Sequence, residues 1–228
     1  MSELRVEPHG DVVLWTLDRP ARKNALSLAL LAELDEARAR AAASSASVVV
    51  LTGCREAGVF CAGFDRNDLA RLAAEGATTA EAASPLHDLF ERMESAPFSL
   101  VTAIDGAAIG GGCELALLGD VRVASARSTF ALPPARLGIV YPPDGLARLQ
   151  AALGASLLGA MLATAAPVDA VRLHASGALF ALDEAPVSAA LRLAEGMAAL
   201  VRDARLGNRD ALRRVARHGC GGGPASEE

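Results

Sequence analysis

This chain of 228 residues has no closely spaced pair of cysteines, a single lysine and no excess of basic charge. The four cysteines are Cys54, Cys61, Cys113 and Cys220. They form no CxxC pair and no histidine cluster accompanies them, so a metal site is not expected. Scattered cysteines in a chain of this size are typical of a reduced, cytoplasmic protein. With one lysine, Lys23, and a formal net charge of -5, the chain is not expected to bind nucleic acid.

The sequence also lacks the pattern of a signal peptide and a clear membrane-spanning run. The N-terminal residues contain no apolar stretch of the kind that a signal peptide needs. One segment, between Arg148 and Asp169, has no charged residue and approaches the length of about 20 residues that spans a membrane. It is mostly alanine and is interrupted by Gln150 and Gly154. We therefore predict two short buried helices broken at Gly154, and no membrane partner.

Hydrophobic periodicity predicts a mixed α/β chain. Strands are predicted at residues 4–7, 12–17, 48–51, 100–104 and 120–124. Helices are predicted at residues 28–43, 66–74, 84–94, 113–117, 146–153, 170–177, 187–202 and 209–217, with a mobile loop at 76–83. Ser27, Asp65, Asp144 and Asp169 are the expected N-caps, and Ser84-Pro85 is expected to open its helix. We predict a core over residues 1–180, a short helical region over 181–218 and a disordered tail over 219–228.

Three consecutive glycines, Gly110, Gly111 and Gly112, separate the strand at 100–104 from a helix that opens at Cys113-Glu114. Glycines in such a run favour a backbone that approaches another group closely. A helix N-terminus also presents free N–H groups, which would stabilise an oxygen that gains negative charge during a reaction. The alternative is a tight strand-to-helix turn whose glycines only relieve crowding.

Three stretches together resemble the crotonase family, the enoyl-CoA hydratase/isomerase superfamily: residues 19–26, 60–65 and 106–116. The resemblance covers roughly residues 5–180. It implies a spiral of ββα units, followed by a helical region used for trimer contacts in a homotrimer or a dimer of trimers. It implies an acyl-CoA thioester substrate in fatty acid metabolism, with coenzyme A as part of the substrate and no separate cofactor.

The resemblance also implies roles for particular residues. By position, Phe64 and Gly111 donate backbone N–H groups to the thioester oxygen as an oxyanion hole, and Glu114 is the acid or base. The other implied substrate-binding positions are Arg22, Lys23, Ala25, Ala62, Asp65, Gly110, Pro134 and Leu137. The charges of Arg22 and Lys23 suit the phosphates of CoA, although an ordinary solvated pair is the alternative.

Departures from the family pattern affect the expected reaction. Pro134 stands where the hydratases carry a second glutamate. Hydration needs two groups that handle protons, and proline is not one, so weak or absent hydration of crotonyl-CoA is expected. Residues 130–141 also resemble the methylmalonyl-CoA decarboxylase branch, with Tyr141 as a proton donor or as an aromatic in the pocket wall. That branch carries a histidine where this chain has Phe64.

Three functions stay open at this point. The first is an acyl-CoA enzyme that stabilises an enolate and uses Glu114. The second is a decarboxylase or isomerase that uses Tyr141, and the third is a catalytically silent acyl-CoA-binding protein, favoured by Pro134. Asp144 is expected to cap its helix rather than reach the pocket. His87 is expected on the surface, and Cys113 has no base partner for a nucleophilic role.

Overall fold

A computed structural model describes residues 2–218 of the chain. The strands are β1 Leu4–His9, β2 Val12–Leu17, β3 Val48–Gly53, β4 Ser99–Ile104, β5 Ala107–Ile109, β6 Val121–Ala124, β7 Thr129–Ala131, β8 Val168–Asp169 and β9 Ala181–Leu182. The α-helices are α1 Leu28–Ala43, α2 Arg66–Ala74, α3 Thr79–Glu94, α4 Gly111–Leu117, α5 Pro143–Leu153, α6 Ala155–Thr164, α7 Ala170–Ala175, α8 Pro186–Ala198 and α9 Arg202–His218.

Two sheets organise these elements. The larger sheet has the strand order β1-β2-β3-β4-β6-β9, in which β1 is antiparallel to β2 and the other neighbours are parallel. Strands β3 and β4 are apolar along almost their whole length because both faces of the sheet are covered. The smaller sheet has the order β5-β7-β8. The predicted α/β fold class is confirmed.

Apolar side chains are buried on both faces of the larger sheet. The main core packs α1, α3 and α4 against one face and includes the buried rings of Trp15, Phe90 and Phe98. On the opposite face, Ala190 and Ala194 of α8 join a smaller cluster with strand residues such as Val50. Strand β9 and helix α8 lie in the predicted C-terminal region, yet they pack on the same sheet as the predicted core.

Side-chain caps set three helix boundaries where the sequence predicts them. The hydroxyl oxygen of Ser27 accepts a hydrogen bond from the N–H of Leu30 at the start of α1. The carboxylate of Asp65 accepts from the N–H of Asn67 at the start of α2. Asp169 caps α7 in the same way. These caps satisfy N–H groups that have no partner within the helix, so the predicted starts of α1, α2 and α7 are confirmed.

Helix α3 begins earlier than predicted. The hydroxyl oxygen of Thr78 accepts from the N–H of Glu81, and the Glu81 carboxylate accepts from the N–H of Thr78 at 2.8 Å, which is a capping box. Pro85 consequently lies inside the helix. The prediction of a loop over residues 76–83 is wrong for its second half because this reciprocal cap outweighs the Ser84-Pro85 signal.

Other boundaries also differ from prediction. Helix α4 begins at Gly111 rather than Cys113, and α9 begins at Arg202 rather than Arg209. Helix α5 begins at Pro143, so Asp144 lies exposed in its first turn and makes no capping hydrogen bond. The prediction that Asp144 is an N-cap is therefore wrong. The predicted tail at 219–228 lies outside the described residues.

The uncharged segment forms the end of α5 and all of α6, and these two helices meet at an angle of 119° across Gly154. Leu149, Leu153, Leu158 and Met161 are buried, whereas the other sides of both helices are exposed. The predicted break is confirmed, but the helices are buried on one side only. Among the described residues, no single helix has the length and hydropathy to cross a membrane, and α5 and α6 reach that length only as a bent pair.

Arginines attach helix α9 to the rest of the molecule. The side chains of Arg202, Arg205, Arg209 and Arg213 all point to one side and donate hydrogen bonds to backbone carbonyl oxygens. The acceptors are the carbonyl oxygens of Ser47, Glu94, Ala96, Pro97 and Phe98. Arg213 also contacts the Asp120 carboxylate at 2.7 Å. The apolar residue Leu212 on this helix is 70% exposed.

Asn24 joins the loop at residues 19–26 to the next turn of chain. Its side chain is fully buried, and its amide nitrogen donates to the carbonyl oxygens of Val59 and Phe60, both at 3.2 Å. Its amide oxygen accepts from the N–H of Arg19 at 3.1 Å. Its backbone has a φ of +51°, a conformation that asparagine tolerates better than most residues. One residue thus holds two loops together.

We expect Asn24→Ala to lower the free energy of unfolding by about 2–3 kcal/mol, because it leaves buried backbone groups without partners. Denaturant unfolding of both proteins measures this difference. Asn208→Ala, at an exposed position in α9, is the matched control and should change stability little. Equal stabilities for the two variants would contradict the role given to Asn24.

Candidate functional site

Two backbone turns meet at the N-terminus of α4. The N–H of Cys61 donates to the carbonyl oxygen of Ala107 at 3.2 Å, and the N–H of Ile109 donates to the carbonyl oxygen of Cys61 at 3.0 Å. The N–H of Gly110 donates to Ala131 at 2.8 Å. These bonds fix the turn at residues 60–65 against β5 and the glycine turn that follows it.

Glycines make this approach possible. A Cβ atom added to Gly63 would lie 2.6 Å from the carbonyl oxygen of Ile109, and Gly63 has a φ of +94°. A Cβ atom added to Gly112 would lie 2.4 Å from the carbonyl oxygen of Cys61. Real Cβ atoms do not approach oxygens this closely, so both positions exclude any side chain. The predicted close approach is confirmed, and Gly112 also relieves crowding, as the alternative interpretation holds.

The backbone N–H groups of Phe64 and Gly111 lie on either side of this junction. A Cβ atom added to Gly111 would lie 3.7 Å from the nitrogen of Phe64 and 3.8 Å from a methyl group of Leu26. Within residues 2–218, neither N–H group donates a hydrogen bond to the protein. Both residues are half-buried. The two positions that the family resemblance pairs are therefore neighbours, with two donors available at one place.

Glu114 lies in the first turn of α4 and is 1% exposed. Its Oε1 atom accepts hydrogen bonds from Nε and Nη2 of Arg148, at 3.2 and 3.0 Å. Nη1 of the same guanidinium lies 3.4 Å from Oε2 of Glu94. A buried carboxylate is costly unless it is paired and hydrogen-bonded. The guanidinium of Arg148 provides that pairing and fixes one oxygen of Glu114.

His87 and Tyr141 complete the surroundings of Glu114. The Nδ1 atom of His87 lies 3.7 Å from Oε1 of Glu114, and the rings of His87 and Tyr141 pack edge to face with centroids 6.4 Å apart. Gly145 provides the space, since a Cβ atom there would lie 3.4 Å from atoms of Glu114, His87 and Tyr141. The expectation of a surface histidine at position 87 is wrong: the helix turns this side chain inward, and it is 18% exposed.

Burial and the nearby charge of Glu114 raise the pKa of the Tyr141 hydroxyl well above its usual value, with a further contribution from Cys113. The hydroxyl therefore stays protonated near neutral pH and can donate a hydrogen bond or a proton. Burial also raises the pKa of Cys113, with Glu114 adding to the effect. A buried thiol without a base does not act as a nucleophile, which agrees with the expectation from sequence.

Three members of this cluster were not predicted as site residues: His87, Glu94 and Arg148. Arg148 carries a signal that could have identified it, because Gly145, Arg148 and Leu149 share one face of α5 at helical spacing, and an arginine on a buried face needs a buried partner. His87 carries a weaker signal, since Leu86, Phe90 and Met93 mark the buried side of α3 next to it. Glu94 carries none.

The loop with Arg22, Lys23 and Ala25 lies beside the turn that contains Ala62 and Phe64. The N–H of Ala62 donates to the carbonyl oxygen of Lys23 at 3.0 Å. The side chains of Arg22 and Lys23 are exposed. Two charges are thus available to solvent next to the junction, where the resemblance implies CoA binding.

Asp65, Pro134 and Leu137, the other implied substrate-binding residues, do not belong to the loop that contains Arg22 and Lys23. Burial alone would raise the pKa of Asp65, but hydrogen bonds from the N–H of Asn67 and from Arg19 hold it below its usual value. Its carboxylate is thus already occupied by the helix cap and the Arg19 ion pair. Pro134 is buried at the start of the 3-10 turn Pro134–Leu137. The side chain of Leu137 is outside what is described.

In residues 2–218, no group of three or more His, Cys, Asp or Glu side chains could hold a metal ion.

The sequence of this chain is similar to those of known proteins. The family model for enoyl-CoA hydratase/isomerase matches residues 7–211. The chain is similar to 2,3-dehydroadipyl-CoA hydratase of Escherichia coli, with 39% identity over 182 residues, 78% of this chain and 68% of the relative. It is also similar to a protein of Mycobacterium tuberculosis named probable enoyl-CoA hydratase, with 35% identity over 95% of this chain and 82% of the relative.

Solved structures show the same fold. An enoyl-CoA hydratase/isomerase family protein from Hyphomonas neptunium aligns with a TM-score of 0.88 and 27% identity, covering 97% of this chain and 86% of that chain. Methylmalonyl-CoA decarboxylase in complex with 2-nitronate-propionyl-CoA also aligns with a TM-score of 0.88, at 22% identity, over 95% of this chain and 83% of that chain. With a family model that spans most of the sequence, this chain belongs to the enoyl-CoA hydratase/isomerase family of the crotonase superfamily.

Proposed function

We propose that this chain is an enzyme that binds an acyl-CoA thioester and stabilises its enolate with the N–H groups of Phe64 and Gly111. The observation that carries the proposal is the position of these two donors. They are neighbours at the start of a helix, and neither is used by the described protein. Two such donors stabilise negative charge on a carbonyl oxygen as it develops in the transition state.

Glu114 is the acid or base in this proposal. Arg148 holds its Oε1 atom, whereas Oε2 is buried and has no hydrogen-bond partner among the described residues. One oxygen is thus fixed and the other is free to exchange a proton with a bound substrate. Because Glu114 follows Gly111 by three residues on one short helix, the base and the donor keep a fixed separation.

The CoA portion is assigned to the loop with Arg22, Lys23 and Ala25. This loop is hydrogen-bonded to Ala62, two residues before Phe64. A CoA molecule bound at the loop would therefore have its thioester end near the N–H groups of Phe64 and Gly111. The name of the Escherichia coli relative, which specifies a CoA thioester, supports a substrate of this class. A cytoplasmic location and a homotrimer or dimer of trimers, both expected from the sequence, remain part of this proposal.

Decarboxylation is the second candidate. The observation that favours it is the protonated hydroxyl of Tyr141 beside Glu114. Loss of carbon dioxide through a thioester enolate needs the two N–H donors and a later proton donor, and a phenol can be that donor. The likeness to methylmalonyl-CoA decarboxylase supports only the fold. A silent binding protein would use the same CoA site without turnover.

We expect Arg22→Ala/Lys23→Ala to bind butyryl-CoA about tenfold more weakly than the native chain, because two charges near the CoA phosphates are lost. Calorimetry at low and high salt measures the affinity and its salt dependence, which should be smaller in the variant. Arg40→Ala, at an exposed helix position, is the control. If the native chain binds free butyrate as tightly as butyryl-CoA, the thioester site does not exist.

Glu114→Gln keeps the shape of the side chain and removes the carboxylate. We expect turnover of the accepted thioester to fall by about two to four orders of magnitude, which is the usual contribution of a general base. Binding of butyryl-CoA should stay within about twofold, since the N–H donors are unchanged. Product formation is followed by mass spectrometry with crotonyl-, 3-enoyl- and methylmalonyl-CoA. Undiminished turnover in this variant would move the chemistry to Tyr141.

Gly111→Ala tests the space in front of the two N–H donors. Its methyl group would lie 3.7 Å from the nitrogen of Phe64 and would displace a methyl group of Leu86. We expect kcat/KM to fall about 100-fold or more, similar to the loss of one oxyanion donor. Gly159→Ala, at an open helical position of α6, should leave kcat/KM unchanged and is the control. Equal activities in the two variants would rule out this position for the oxyanion.

A further inference from the structure

We propose that His87 is the second proton-transfer group of this site, and that His87 and Glu114 together add water to a 2-enoyl-CoA thioester. This inference rests on the proposed acyl-CoA function and specifies its reaction. The sequence expectation of weak hydration assumed one proton-handling group, because Pro134 replaces the second glutamate. The structure brings a different titratable side chain to Glu114 from another helix, α3.

Unsatisfied polar atoms point to this pair. In residues 2–218, the buried side-chain nitrogen and oxygen atoms without a hydrogen-bond partner are Trp15 Nε1, His87 Nδ1, Glu114 Oε2, Arg122 Nε and Arg205 Nε. Two of these five atoms belong to neighbouring side chains, since Nδ1 of His87 lies 3.7 Å from Oε1, the other oxygen of the Glu114 carboxylate. A buried polar atom without a partner destabilises the folded protein. Two such atoms on neighbouring side chains indicate a place that a polar reactant occupies.

Other groups near Glu114 are unsuited to the second role. The guanidinium of Arg148 does not lose its proton and is already bound to Oε1. The raised pKa of the Tyr141 hydroxyl makes it a weaker acid than a protonated imidazole, although it can still protonate an enolate. Asp144 is exposed on the first turn of α5. Histidine is the side chain that most readily gains and loses a proton near pH 7, which leaves His87.

Charged and aromatic groups from three helices and a loop surround His87. Glu114 faces it from α4, and Arg148 of α5 binds Oε1 of Glu114, the same atom that lies 3.7 Å from Nδ1 of His87. Tyr141 faces it with a neutral ring. On its own helix the nearby charges are the exposed Asp88 and Glu91. Among the described residues, no side chain of α1 or α2 forms an ion pair or hydrogen bond with His87. In the proposed reaction the carboxylate of Glu114 is the base and the protonated imidazole of His87 is the acid.

The two groups complete a balanced addition of water. The water oxygen bonds to the β-carbon, its proton passes to Oε2 of Glu114, and the electron pair of the double bond moves to the thioester oxygen. The imidazolium of His87 then protonates the α-carbon as the enolate reverts to the thioester. Proton exchange through solvent water then restores the carboxylate of Glu114 and the imidazolium of His87, and no reactant besides the added water is consumed.

The test measures crotonyl-CoA hydration against pH for the native chain, His87→Gln and His87→Ala, with butyryl-CoA binding measured in parallel. We expect kcat/KM to fall at least 100-fold in both variants, with butyryl-CoA affinity within about twofold of native. The alkaline decline of the native profile should be absent in His87→Gln, because glutamine has no proton to lose. Imidazole in solution should restore part of the activity of His87→Ala. His9→Gln, at an exposed position of β1, is the control.

Different failures have different meanings. A native chain that binds butyryl-CoA but does not hydrate crotonyl-CoA overturns the role of His87 and leaves the acyl-CoA site in place. Hydration by His87→Gln at the native rate, or with the native pH profile, overturns it as well. A native chain that binds no CoA thioester overturns the proposed function and this inference together.

Discussion

The close packing of one backbone turn on another is the constraint on which the site depends. The turn at residues 60–65 contacts the end of β5 and the first turn of α4 so closely that neither Gly63 nor Gly112 has room for a Cβ atom. This packing sets the separation of the N–H groups of Phe64 and Gly111. It also fixes the start of α4, and with it the position of Glu114. A third segment, the loop at residues 19–26, joins this junction because the side chain of Asn24 donates hydrogen bonds to the carbonyl oxygens of Val59 and Phe60.

A second constraint is electrostatic. One guanidinium, that of Arg148, lies between the carboxylates of Glu94 and Glu114, and all three side chains are largely buried. Buried ion pairs of this kind add little net stability, because the cost of removing the charges from water offsets their attraction. Their value here is positional: Oε1 of Glu114 is held while Oε2 stays free. Removal of Arg148 would leave an uncompensated carboxylate next to His87.

The sequence predicted the parts of this structure that depend on local chemistry. Caps at Ser27, Asp65 and Asp169 fixed helix starts correctly, since each needs only a side chain and nearby N–H groups. The start of α3 was wrong because two local signals competed, and the capping box at Thr78 outweighed Ser84-Pro85. The close approach at the glycine turn was predicted because backbone segments that touch require glycine, and three consecutive glycines are visible in the sequence. The surroundings of Glu114 were not predicted, because His87, Glu94 and Arg148 come together only when α3, α4 and α5 pack.

Attachment of α9 through arginine side chains has a consequence for sequence drift. The acceptors are mostly carbonyl oxygens of the main chain at residues 47 and 94–98, which every amino acid provides. Substitutions on the receiving surface can therefore accumulate without loss of the docked helix. The donors have no such freedom, because lysine cannot reproduce the several directed N–H groups of a guanidinium. We therefore expect substitutions to be tolerated at the residues beneath α9 and not at the arginines of α9 itself.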